Sequence, residues 1–189
     1  MLTPKQNMLE VIKGGNPDRF VNQYEAVQLL FHPFMFASPL LQEGMENVVN
    51  AWGVTNTFPK GVPGAFPVHT PDKIVVKDIE HWKDYVKAPS LKFSQEQWDQ
   101  CKAAYDAVDG EKSFKAAFVA PGLFEQTHHL CELVNALTYY IEYEDEMHDL
   151  IKYLTEWELE LADGICSNLH PDMLFHHDDW GGLDSTFMS

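Results

Sequence analysis

Phe114-Lys115-Ala116-Ala117-Phe118-Val119-Ala120, closed by Pro121-Gly122, is the stretch that decides the fold. A short apolar run ended by strong breakers reads as a buried strand. Two helices follow, one from near Phe124 to about Leu133 and one from about Asn135 to Glu142. The clearest helix runs from Asp145 to about Asn168. There Met147, Leu150, Ile151, Leu154, Trp157, Leu161 and Ile165 recur at steps of three and four, which lines one face of a helix with apolar groups. Pro171-Asp172 breaks it, and Met173-Leu174-Phe175-His176 reads as a further strand. Strands separated by helices are joined by crossovers and run parallel, so the class is α/β.

Upstream, Thr3-Pro4-Lys5-Gln6 is a helix start with a capping residue and a proline in the first turn, and Gly14-Gly15 stops that helix. Asn16-Pro17-Asp18-Arg19 is a turn, and Phe20 to Tyr24 reads as a short strand. From Leu29 to Pro71 proline, glycine and aromatic residues predict short strands and long ordered loops. Ile74-Val75-Val76 reads as a strand and Asp78 to Val86 as a helix. Ser94-Gln95-Glu96-Gln97 is a capping box that opens a helix to about Val108. About three core strands result, whereas an eight-stranded barrel takes about 250 residues. The sequence closes on Ser185-Thr186-Phe187-Met188-Ser189 with no further element. The expectation is therefore one domain over 1–189 that forms the first strands and helices of a truncated (β/α)8 TIM barrel.

Charge and composition narrow the function. Hydrophobic residues make up 45% of the 189 residues, enough for a packed core. The net charge of -16 repels phosphate backbones and anionic lipid surfaces, so neither a nucleic acid nor a membrane is an expected partner. No apolar run approaches the roughly 20 residues of a membrane span, and the first residues have no signal-peptide core. Cys101, Cys131 and Cys166 are scattered and form no CxxC, which fits a reducing cytoplasm.

The densest chemistry lies in His176-His177-Asp178-Asp179-Trp180-Gly181. In parallel α/β folds active sites sit at the C-terminal ends of strands, where this segment falls. His177, Asp178 and Asp179 are the candidate catalytic groups, with His176 as a binding residue. Adjacent carboxylates push their pKa values apart, which suits acid–base work. A plain polar turn accounts for the same residues, with Asp179 capping a following helix and Asp178 bonded to backbone. No metal is assigned here, because neighbouring strand residues face opposite ways and His176 and His177 do not converge on one ion.

Pro121-Gly122-Leu123-Phe124-Glu125-Gln126-Thr127-His128-His129 is a second strand end, turning into a helix. Glu125 and His128 fall three apart on one face, and with Phe124 they are candidate substrate-binding residues. An ordinary loop with a satisfied histidine is the competing reading. Trp52, near Phe58 and Phe66, is a candidate pocket wall or else a core residue. His32 and His69 are isolated and read as structural.

Taken together, Thr3-Pro4-Lys5-Gln6 with Gly14-Gly15-Asn16-Pro17-Asp18-Arg19, Ala51-Trp52-Gly53-Val54, Pro121-Gly122-Leu123-Phe124-Glu125 and His176-His177-Asp178-Asp179-Trp180-Gly181 resemble the N-terminal half of uroporphyrinogen decarboxylase superfamily proteins. The resemblance implies a (β/α)8 barrel. It also implies either the haem-pathway decarboxylase, a lyase without a cofactor, or a methyltransferase acting with zinc and a corrinoid protein. The decarboxylase members carry an arginine-rich segment where this chain has Asn22-Gln23-Tyr24-Glu25-Ala26-Val27-Gln28, and Arg19 is the single arginine here. They also carry a central aspartate where this chain reads Asn50-Ala51-Trp52-Gly53. A polyanionic substrate is poorly held by such a surface. Gly182-Leu183 replaces the polar residues that relatives place after Asp-Asp-Trp-Gly.

The expected function is transfer of a methyl group from a small methylated or methoxylated compound to a corrinoid protein, an O-demethylation. The zinc ligands of such relatives come from later strands. This segment alone is expected to bind no cofactor, with the corrinoid on a partner and the remaining barrel half on a further segment or a partner chain. A non-catalytic half-barrel subunit is the third alternative.

Overall fold

The computed structural model describes residues 1–22, 24–182 and 184–187. In chain order the elements are α1 (Pro4–Lys13), β1 (Val27–Leu30), β2 (Met45–Val49), β3 (Thr55–Phe58), β4 (Phe66–Pro67), α2 (Trp82–Tyr85), α3 (Gln95–Asp106), β5 (Phe114–Val119), α4 (Leu123–Cys131), α5 (Leu133–Glu142), α6 (Glu144–Leu169) and β6 (Met173–His176). The chain is α/β. No helix among the described residues is long and apolar enough to cross a membrane. Two compact units are present, and α6 contributes to both.

The first unit comprises Met1–Pro33, Lys92–Val119 and Ala162–His176. Its sheet is parallel, in the order β1-β5-β6. Val27 pairs with Phe114 at one end of the register, and Val119 pairs with His176 at the other. Ala116 and Ala117 in the central strand are fully buried. The capping boxes act as the sequence requires. Thr3 accepts from Gln6 and Ser94 from Gln97, each with the reciprocal side-chain bond. Gly14 ends α1 at φ 67°, a left-handed conformation that costs glycine little. On α6, Gly164 lets the Trp98 ring of α3 come within 3.4 Å of where a Cβ would stand.

The described residues of Phe20 to Tyr24 form no strand, and β1 lies further on, at Val27–Leu30. Two causes are visible. Tyr24 sits at φ 59°, outside the extended region, and the Glu25 carboxylate bonds the Asn22 amide and Arg19. These bonds draw Glu25 back onto Arg19 and Asn22. Of the stretch Asn22 to Gln28, Gln23 lies outside the described residues. His32 is buried, and its Nε2 donates to the Phe118 carbonyl at 3.0 Å, so its role there is structural.

The second unit comprises Phe34–Leu91, Ala120–Leu161 and the segment from His177 onward. Its sheet, β2-β3-β4, is antiparallel. Trp52, Val54, Val76, Ile79, Trp82 and Val86 pack with Leu130, Cys131, Ala136, Met147, Leu150 and Leu154 into one apolar core. The indole of Trp157 closes it and donates to the Pro89 carbonyl at 2.8 Å. Ile74–Val76 forms no strand. Val76 is buried but gives its amide to the Leu130 carbonyl at 3.0 Å, so no ladder partner is needed. The helix expected over Asp78 to Val86 is a capped 3-10 turn, Ile79–His81, running into α2.

Candidate functional site

The residues that matter follow β5 and β6 in the chain and belong to the second unit. α4 begins at Leu123, and Gly122 in the cap position has no side chain to receive the first free amides. Asp178 supplies that acceptor from 50-odd residues away in sequence. Its Oδ2 accepts from Phe124 N at 3.0 Å and its Oδ1 from Glu125 N at 2.8 Å. Charge, helix dipole and hydrogen bonding act together here, because a carboxylate meets the positive end of a helix. The bare glycine is required, since a Cβ on Gly122 would stand 2.5 Å from Cβ and Cγ of Asp178.

With Asp178 seated, its neighbours fall into place. His177 Nδ1 lies 3.3 Å from Glu125 Oε2, and His177 Nε2 lies 3.6 Å from Asp179 Oδ1. The second Glu125 oxygen, Oε1, faces His129 Nε2 at 3.7 Å, one helical turn along α4. Glu125 therefore stands between two imidazoles, and His177 stands between two carboxylates. His128 turns its ring toward Phe124, with centroids 5.3 Å apart, and perpendicular to His129 at 4.8 Å. His69 holds the backbone of this turn, donating from Nε2 to the His129 carbonyl at 3.2 Å.

Burial sets the proton affinities. Burial pushes the Glu125 carboxyl above its ordinary value. The charge of His177 opposes this, and those of Asp179 and Asp178 add to it. Burial, with His128 and His69 nearby, pushes His129 down to about 3, so it is neutral at physiological pH. His128 is lowered too, again by burial first and then by His69. A carboxyl that favours its proton, next to imidazoles of which two resist theirs, is a constellation for proton transfer.

The floor of the cluster is aromatic. Phe124 is buried under Tyr140 at 6.1 Å and Phe187 at 6.0 Å. Thr127 donates to the Phe124 carbonyl at 2.7 Å, which leaves its oxygen to accept from the Tyr140 hydroxyl at 2.8 Å. Phe187 is brought there by a tight reversal in which Gly182 N bonds Ser185 O and Phe187 N bonds Trp180 O, each at 2.9 Å. Leu183, in the Gly182-Leu183 pair, lies outside the described residues, as do Met188 and Ser189.

The structure thus brings together His177, Asp178, Asp179, Phe124, Glu125 and His128. Trp52 is not with them. It is 6% exposed, in the apolar core, with its ring edge-to-face on Trp157 at 4.9 Å. His176 is the last residue of β6, in the first unit. Among the described residues no helix follows Asp179; Asp178 caps α4 instead. His129 is the member that sequence reasoning passed over. Its signal was the four-residue step from Glu125, which ranks with the three-residue step to His128.

Among the described residues no three His, Cys, Asp or Glu side chains are grouped to hold a metal ion. Comparison with family models, with curated proteins and with solved structures found no match.

Proposed function

We propose that this chain is the N-terminal half of a uroporphyrinogen decarboxylase-like (β/α)8 barrel and serves a methyl transfer from a small methoxylated compound to a corrinoid protein. Strand order is compatible with the barrel part. β1, β5 and β6 are parallel and neighbours in chain order, with no reversal. Three parallel strands in chain order occur at the start of a barrel and within one half of a doubly wound sheet alike. β1 and β6 are edge strands, which suits completion of the sheet by further strands.

The observation that carries the functional reading is the 3.3 Å approach of His177 to a partly buried Glu125, fixed by the Asp178 cap. Breaking a methyl ether leaves an oxygen that needs a proton. Glu125, whose proton affinity is raised chiefly by burial, donates it. The carbon–oxygen bond breaks, its electron pair stays on the oxygen, and the Glu125 proton neutralises it. The nucleophile that takes the methyl group would be supplied by a reduced corrinoid on a partner protein. No residue of this chain is assigned to the corrinoid. The donor set described above does not fit a zinc ion, and no step is routed through one.

The decarboxylase reading is weaker on an observation of its own. Arg19, the single arginine, is committed to Glu25 by a two-pronged ion pair and is not left for a polycarboxylate. The test is to incubate the complete protein with a reduced corrinoid acceptor and a panel of methoxylated aromatics. The expected products are the free phenol and the methylated acceptor. No transfer across the panel, or decarboxylation of uroporphyrinogen, would overturn the proposal.

A further inference from the structure

The Glu125 cluster is graded in exposure as well as in charge. The Asp179 side chain is 65% exposed, His177 39% and Glu125 16%. His177 uses both ring nitrogens along this gradient, Nε2 toward Asp179 at 3.6 Å and Nδ1 toward Glu125 at 3.3 Å. An imidazole with one nitrogen toward solvent and the other toward a buried acid passes a proton by taking it at one nitrogen and releasing it from the other.

We propose that Asp179 and His177 form a proton shuttle that reloads Glu125 from solvent. The inference rests on the reading of Glu125 as a proton donor. It adds the route by which Glu125 is made ready for each turnover.

The step balances without any redox partner. A proton from water enters on the Asp179 side and binds His177 Nε2, giving the imidazolium. The Nδ1 proton then passes to Glu125 Oε2, and His177 is left neutral with its proton on Nε2. A ring turn, or exchange through solvent, restores the starting tautomer. At 3.6 Å the Asp179 contact is longer than a hydrogen bond. An exposed carboxylate closes such a gap by a small rotation or through one water.

The charged and titratable groups that bear on Glu125 come from two segments. Asp178 and Asp179 stand beside His177 on one, and His129 stands on its own helix. Asp178 is committed to the two amides of α4, and His129 is held neutral by burial. That leaves Asp179 and His177 as the pair able to carry a proton inward.

The inference is tested on the whole chain in two ways. The first needs no substrate. The carboxyl carbon of Glu125 is followed by NMR against pH in the wild type and in His177→Gln. A coupled pair titrates in steps that belong to both groups. Glu125 is therefore expected to show two inflections in the wild type and one in the variant. Identical single-step curves in both proteins overturn the shuttle.

The second uses the methyl-transfer assay. Asp179→Asn and His177→Gln are expected to slow turnover by about a hundredfold, the lower end of the range for losing assisted proton transfer. Added imidazole should restore a large part of the rate in His177→Gln, while KM for the methoxylated substrate stays unchanged. Absence of rescue overturns the shuttle. Because Asp179 is exposed, its variant remains informative if His177→Gln folds poorly. A wild type that transfers no methyl group sinks the preceding functional reading, and the titration then decides the shuttle by itself.

Discussion

Gly122 and Asp178 occupy the same space at the start of α4. A Cβ on Gly122 would lie 2.5 Å from Cβ and Cγ of Asp178, and the carboxylate uses that room to bond the amides of Phe124 and Glu125. Two segments distant in sequence are joined at this point, and the geometry of the acid–base cluster follows from it.

Removing the cap should cost stability. Asp178→Ala leaves two amides of a partly buried helix end without an acceptor, and the expected loss is about 1–3 kcal/mol. Gly122→Ala should destabilise by pushing the same carboxylate away. Because both changes break one interaction, the double variant should lose less than the sum of the two. Urea denaturation of the three variants measures this, and strict additivity would separate the glycine from the cap.

Glu125 should make the protein less stable as pH rises. Its folded pKa is raised by burial, so the folded state binds more protons than the unfolded one between the ordinary carboxylate range and the raised value. Stability then falls with rising pH across that window and levels off above it. In Glu125→Gln this fall should be absent. Denaturant midpoints at a series of pH values give the slope, and equal slopes in both proteins would count against a buried carboxyl.

The acid side has the opposite sign. His129 is lowered to about 3 and His32 to about 4, each chiefly by burial. Below the ordinary histidine value the unfolded chain binds protons that the folded chain refuses. Stability should therefore fall as pH drops from about 6.5 toward those values. His129→Gln and His32→Gln should each flatten part of this fall. An unchanged acid limb in both variants would show that the two rings are solvated.

Trp52 should behave as a core residue. Trp52→Ala is expected to cost about 3–5 kcal/mol through the cavity it leaves beside Trp157. Trp52→Phe should retain most of the stability and leave the Glu125 titration as in the wild type. A Trp52→Phe protein of normal stability but shifted Glu125 titration would instead connect this indole to the cluster.

Much of this was legible in the residues, and the failures have physical causes. The Thr3 helix start, the Ser94 capping box, the apolar stripe of α6 and the two breaker-bounded strands β5 and β6 are local signals, and local signals survive folding. The strand expected at Phe20 to Tyr24 failed because Glu25 captures Arg19 and the Asn22 amide. Apolar pattern carries no record of such a side-chain bond. Val76 failed for a similar reason, since its amide partner is a helix carbonyl far along the chain.

In the site, the meeting of Glu125 with His177 was expected from two strand ends on a common rim. The polar-turn alternative has Asp178 bonded to backbone, as it is, but does not place that backbone at the start of α4. A helix cap is normally sought in the residue just before the helix, so a cap supplied from Asp178 is invisible in the local sequence. Trp52 could be read as pocket or as core because the residue type suits both.

Hydrogen exchange at two backbone amides tests the Asp178 cap directly. Phe124 N–H and Glu125 N–H lie in the first turn of α4, where amides normally exchange freely for want of a helical partner. Both are expected to be protected in the wild type and to lose that protection selectively in Asp178→Ala, with the Leu130 amide unchanged. Free exchange of both amides in the wild type would mean that the carboxylate is not seated there, and the cluster built around it would have no anchor.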